Sequence, residues 1–145
     1  MSPAKTEKTK SAGFTADEKA AMKARILEEK TNKTRAEGEA AIRTALAKLP
    51  PSSRKMGERI HEIITRTAPA LSPRTWYGMP AYADSDEVVV FFRNAEKFKE
   101  RYATLGFNPA AKLDEGRMWP IAFALTELTA AEEARITALV KRAVG

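Results

Sequence analysis

The stretch WYGMPAYADSDEVVVFF, residues 76–92, carries the reading of the fold. Gly78 and Pro80 enforce a bend, so Trp76 and Tyr77 cannot run on as one regular strand into Tyr82. Asp84, Ser85 and Asp86 are turn residues, whose short polar side chains bond the nearby backbone. Glu87–Phe92 (EVVVFF) has the apolar, β-branched run of a strand buried on both faces. A second polar turn at Asn94, Ala95 and Glu96 sends the chain back, which predicts that Phe98–Leu105 returns as an antiparallel neighbour; a short helix there is the competing reading. Met118–Leu125 (MWPIAFAL) is a further strand. Pro120, with no N–H to give a ladder, confines it to a sheet edge or to the strand's first residues.

Working outward from this sheet region, the flanking sequence is helical. Thr15 and Glu18 spell a capping box that opens a helix over about 15–31, whose only large apolar residues are Met22, Ile26 and Leu27. So narrow a stripe predicts a helix that packs loosely or serves as an extension. Residues 37–48 place Ile42, Ala45 and Leu46, with Leu49 just beyond, at helical spacing, and the segment stops at Pro50-Pro51. Ser52 or Ser53 then caps a helix with Met56, Ile60, Ile63, Ile64 and Thr67 on one face, ending before Pro69. Thr129 with Glu132 is a second capping box, opening a last helix through Ile136, Leu139, Val140 and Ala143. Helices, then strands, then a helix predict an α+β fold, an antiparallel sheet of about four to five strands packed against N-terminal and C-terminal helices.

The composition bounds what this fold can hold. The chain has 145 residues, one domain's worth, but 26 are alanine and only 27 are Leu, Ile, Val or Phe. Three of those 27 fall in residues 1–36, so the core belongs to residues 37–145 and the first 36 form an extension, disordered over 1–13. The net charge of +6 divides the same way: nine Lys or Arg against five acids in 1–36, sixteen against fourteen in 37–145. Weak, nonspecific nucleic-acid contact is therefore expected of the basic extension and not of the nearly neutral body. The absence of cysteine excludes disulfides, thiolate metal sites and a Cys nucleophile. No run approaches the roughly 18 apolar residues of a membrane span, and the Lys-rich start is not followed by an apolar leader core, so a cytoplasmic protein without membrane contact is expected.

Catalytic signatures are sparse. The single histidine, His61, stands one position off the apolar face of its helix, flanked by Glu58, Glu62 and Arg66, and reads as part of a surface ion lattice. Asp84, Asp86 and Glu87 lack the spacing of a calcium loop, and the seven scattered glycines form no phosphate cradle. No cofactor and no metal is expected, and an enzyme is disfavoured. The dense feature is the aromatic bend with the cations that follow it. If residues 97–105 are a strand, Lys97, Lys99 and Arg101 lie on one face about 6.7 Å apart, a basic ladder beside aromatic walls. The other reading makes the rings the core of a small sheet and the cations a solvated edge that blocks aggregation. The expectation is a small non-enzymatic binding domain that contacts a small anionic ligand or a partner protein. Its candidate binding residues are Trp76, Tyr77, Met79, Pro80, Tyr82, Lys97, Arg101 and Trp119.

On Trp76–Tyr82, the Val88–Phe92 strand after it, the lysine at 97 and the closing strand and helix around Phe123–Val144, the chain resembles the YdhG-like family of small bacterial domains, mostly without assigned function. The resemblance covers about residues 37–145 and leaves the basic extension outside it. It implies a compact α+β domain with an antiparallel sheet. A member has been described as a frataxin-like iron chaperone, so it also implies iron binding as the alternative function, for which Glu58, Glu62, Asp84 and Asp86 would have to converge. Many relatives have an acidic residue before the bend and a histidine after the lysine, where this chain has Pro73 and Phe98-Lys99. Iron prefers carboxylate and imidazole, so those departures argue against the role here.

Overall fold

The computed structural model describes residues 15–145, and the disorder expected over 1–13 lies outside the described residues. The chain divides into two compact units after Thr34. In the first, the capping box forms as expected: the Thr15 N–H donates to Glu18 Oε1 at 3.0 Å and the Glu18 N–H to Thr15 Oγ1 at 3.1 Å. These bonds hold the Glu18 carboxyl below the usual range. The two helices expected over 15–31 and 37–48 are a single helix, α1 (Ala16–Ala47). Nothing in residues 31–37 (TNKTRAE) breaks a helix, since the segment has neither Gly nor Pro.

In the second unit, α2 (Pro51–Thr67) begins with proline at its first turn, where the missing N–H costs nothing. Neither Ser52 nor Ser53 caps it. The Ser53 hydroxyl instead bonds both oxygens of Glu96, at 2.8 and 3.1 Å, and ties α2 to the turn over residues 95–98. The strands are β1 (Ser72–Trp76), β2 (Met79–Asp84), β3 (Glu87–Arg93), β4 (Ala103–Phe107) and β5 (Ala122–Leu125), and the chain closes with α3 (Ala130–Val144). They form one antiparallel sheet in the order β1-β2-β3-β4-β5, an α+β fold with its helices flanking the sheet.

The bend at Gly78 is a two-residue hairpin: Trp76 pairs with Met79, and Tyr77 and Gly78 both have positive φ, 51° and 77°. Two left-handed residues match the twist of the strands they join. Pro80 pairs with Thr75 of β1, one step before the β2–β3 ladder begins at Ala81↔Phe91, so no bond from its nitrogen is needed there. The β2–β3 register slips between Tyr82 and Ala83, which pair with Val90 and Val88, and leaves Val89 as a bulge. All three valines are buried as a result, which accounts for the unbroken apolar run in the sequence.

One core cluster joins Ile42 and Leu46 of α1, Ile60, Ile63 and Ile64 of α2, and Ile136 and Val140 of α3 to Tyr82, Val90, Phe92, Leu105 and Phe107 of the sheet. A bidentate pair, Arg59 to Glu133 at 2.8 and 2.9 Å, links α2 to α3 at its rim.

Candidate binding face of the sheet

Side chains alternate along a strand, so the residues between Tyr82, Phe92 and Leu105 point away from the helices. The registers line them up: Trp76 with Met79, Phe91 with Ala81 and Gly106, Arg93 with Thr104. On this face the Phe91 ring lies flat over Gly106, where a Cβ would fall 2.2 Å from the ring; only glycine admits it. Trp76 tilts against Phe91 with ring centroids 5.3 Å apart and meets Tyr77 edge-on at 5.0 Å. The Arg93 guanidinium lies 5.1 Å over the Phe98 ring, with Glu100 at 3.3 Å and the Thr104 hydroxyl at 3.4 Å. Its Nε is buried with no partner among the described residues. Together Trp76, Tyr77, Met79, Phe91, Arg93, Lys97 and Phe98 line an open concavity of about 500 Å³.

Four of the eight sequence-predicted residues, Trp76, Tyr77, Met79 and Lys97, meet here. The other four do not. Tyr82 is 1% exposed in the helix-side core, and Pro80, two positions away on the same side of β2, is buried with it. Trp119 is half-buried against that same core. Arg101 stacks on its neighbour Tyr102, 5.3 Å from the ring. The strand expected from Phe98 starts only at Ala103, and the competing short helix does not form there either: a 3-10 turn lies just before, over Ala95–Phe98, closed by Lys99 at φ 56°. That left-handed residue takes 97–101 out of extended backbone, so no basic ladder forms. Lys97 reaches over the turn instead, 6.0 Å from the Phe98 ring and without an ion pair among the described residues.

Phe91, Arg93 and Phe98 went unrecognised from sequence, although the parity of β3 relative to Trp76 would have pointed to the first two. His61 is the larger correction. It is no part of a surface lattice but 7% exposed, with Nδ1 2.8 Å from the Tyr82 hydroxyl and Nε2 2.7 Å from Glu39. Glu62, its expected neighbour in that lattice, pairs with Arg59. Burial pushes the Tyr82 phenol far up, so it stays protonated. With Glu39 accepting a hydrogen bond from Nε2–H, Nδ1 is the nitrogen that faces the Tyr82 hydroxyl. The chain Glu39–His61–Tyr82 joins α1, α2 and β2, and Arg43 holds Glu39 from outside at 2.9 Å. Both ring nitrogens are thus hydrogen-bonded within the protein, which ties these three elements together.

Among the described residues no three His, Asp or Glu side chains are grouped to hold a metal ion, and no helix is long and apolar enough to cross a membrane. No protein-family model, curated protein or solved structure matches the chain.

Proposed function

We propose that this chain is a cytoplasmic, non-catalytic binding domain whose bare sheet face docks an acidic, aromatic segment of a partner protein. The observation that carries this reading is the pair of protruding rings, Tyr77 at 77% and Phe98 at 61% exposure, around the tilted Trp76–Phe91 pair and beside Lys97, which has no ion pair among the described residues. A small-molecule site encloses about 70–90% of its ligand, and this concavity is open, which favours the partner protein over the small anionic ligand. Trp, Tyr, Met and Arg are the residues enriched in the centres of protein interfaces, and a cation at the rim selects an acidic partner. For the basic extension, residues 1–36, we propose phosphate contacts alone, which fade as salt rises. An iron-binding role is not part of this reading.

The test is parallel affinity capture with wild-type bait and a Tyr77→Ala/Phe98→Ala bait, followed by titration of the captured protein. At least a tenfold rise in Kd, about 1.4 kcal/mol, is expected for the double variant, with its melt unchanged. Equal binding by both baits would refute the proposal.

A further inference from the structure

The sheet has two edges, and they are finished differently. At β1, Pro73 brings no N–H, and α1 comes so close that a Cβ on Gly38 would fall 1.8 Å from the Pro73 carbonyl oxygen. The Arg35 guanidinium takes the carbonyls of Pro69, Ala70 and Leu71 leading into that strand. This edge is blunted, as sheet edges commonly are. At β5 the N–H of Phe107 donates to the Ile121 carbonyl at 2.7 Å, and Leu105 pairs with Phe123. Bonded and non-bonded pairs alternate in an antiparallel ladder, so residues 121, 123 and 125 bond inward to β4 while Ala122 and Ala124 turn their N–H and C=O outward. No sixth strand lies beyond them among the described residues.

Beside this open edge, on the helix side, β5 and α3 enclose a groove of about 320 Å³ with Leu105, Phe123, Ile136 and Leu139 in its lining. Of its two charged residues, Glu132 is taken by the capping box of its own helix, accepting from the Thr129 N–H at 2.8 Å. Arg135 lies 5.4 Å over the Phe123 ring and has no ion pair among the described residues. We propose that the β5 edge and this groove receive an extended segment of a partner protein by strand addition. Backbone bonds form to Ala122 and Ala124, alternate apolar side chains enter the groove, and a carboxylate of the segment meets Arg135. An added strand needs unpaired edge groups for affinity and a side-chain groove for specificity, and β5 has both. On the other face β5 presents Ala122 and Ala124, small and exposed, beside the intervening side chains. This site shares no lining residue with the aromatic concavity and stands independently of the function proposed above.

The test is selection of random linear decapeptides displayed on phage against the full chain, followed by titration of the selected peptide as a synthetic probe. Selected peptides should alternate apolar residues and carry a carboxylate. Amide exchange at Ala122 and Ala124 should slow on binding. Arg135→Glu, at an exposed position, should weaken binding at least tenfold, and Ala124→Pro, which removes an outward donor without touching the β4 ladder, should abolish it. The proposal is overturned if no peptide is selected, or if the selected peptide tolerates Arg135→Glu and leaves both amides unchanged. A peptide lost with Tyr77→Ala/Phe98→Ala but not with Arg135→Glu also overturns it, by placing binding on the aromatic face. Self-association abolished by Ala124→Pro overturns it as well, by giving the edge to a second copy of the chain.

Discussion

Phe91 and Phe92 are neighbours in sequence and belong to different halves of the molecule. Phe92, 1% exposed, closes the core between the sheet and the helices, whereas Phe91 lies across Gly106 on the opposite face of the sheet. The same strands make both faces, one residue out of phase, and only the covered face is a scaffold in the energetic sense. The bare face keeps its rings half in water, where they contribute less to stability and remain available for contact.

The sharpest way to break this comparison is Phe92→Ala, expected to cost about 3–5 kcal/mol in urea unfolding, as large aromatic truncations in cores do. If Phe91→Ala cost as much, the bare face would be core as well. His61→Ala comes next, at about 1–3 kcal/mol, because it strands the Tyr82 hydroxyl in an apolar interior. A His61→Ala variant as stable as wild type would return His61 to the surface. Trp76→Ala should lose about 1–2 kcal/mol, below a full core truncation because the ring is half-buried; a loss near 4 kcal/mol would make Trp76 scaffold. Tyr77→Ala, Phe98→Ala and Lys97→Ala should each stay within about 0.5 kcal/mol of wild type, the usual range for exposed positions, so that any loss of partner binding reports contact and not folding.

The smallest effect expected concerns acid. The Arg59 guanidinium bonded to Glu133 holds that carboxyl below the usual range. A depressed carboxyl contributes stability that is present above its unfolded value, about 4.3 for glutamate, and is lost as pH falls through the lower folded value. Thermal melts across that window should therefore show the wild-type midpoint falling further than that of Glu133→Gln. Parallel curves would mean that the α2–α3 pair contributes nothing, as many exposed ion pairs do.

The local signals were readable because they act over a few residues. Both capping boxes, the turns at Tyr77-Gly78 and Ser85-Asp86, the buried valine run and the confinement of the last strand by Pro120 all rest on backbone rules that need no distant partner. Four of the eight binding candidates, Trp76, Tyr77, Met79 and Lys97, line one concavity, three of them because they sit around one bend. Tyr82 and Pro80 were grouped with them by proximity in sequence, and Arg101 and Trp119 as a cation and a ring further along the chain, neither of which says which side of the sheet a residue takes.

The sequence by itself determined the helix-strand-helix order and the antiparallel α+β class, since periodicity and turn chemistry are properties of neighbouring residues. Only the tertiary structure decided which face the helices cover, that Lys97–Arg101 folds as a turn, and that His61 lies inside. His61 is buried because Glu39 and Tyr82, 22 and 21 positions away, supply a partner for each ring nitrogen. A buried polar group is tolerable only when such partners exist, and partners that far along the chain are brought by packing, which no local pattern records.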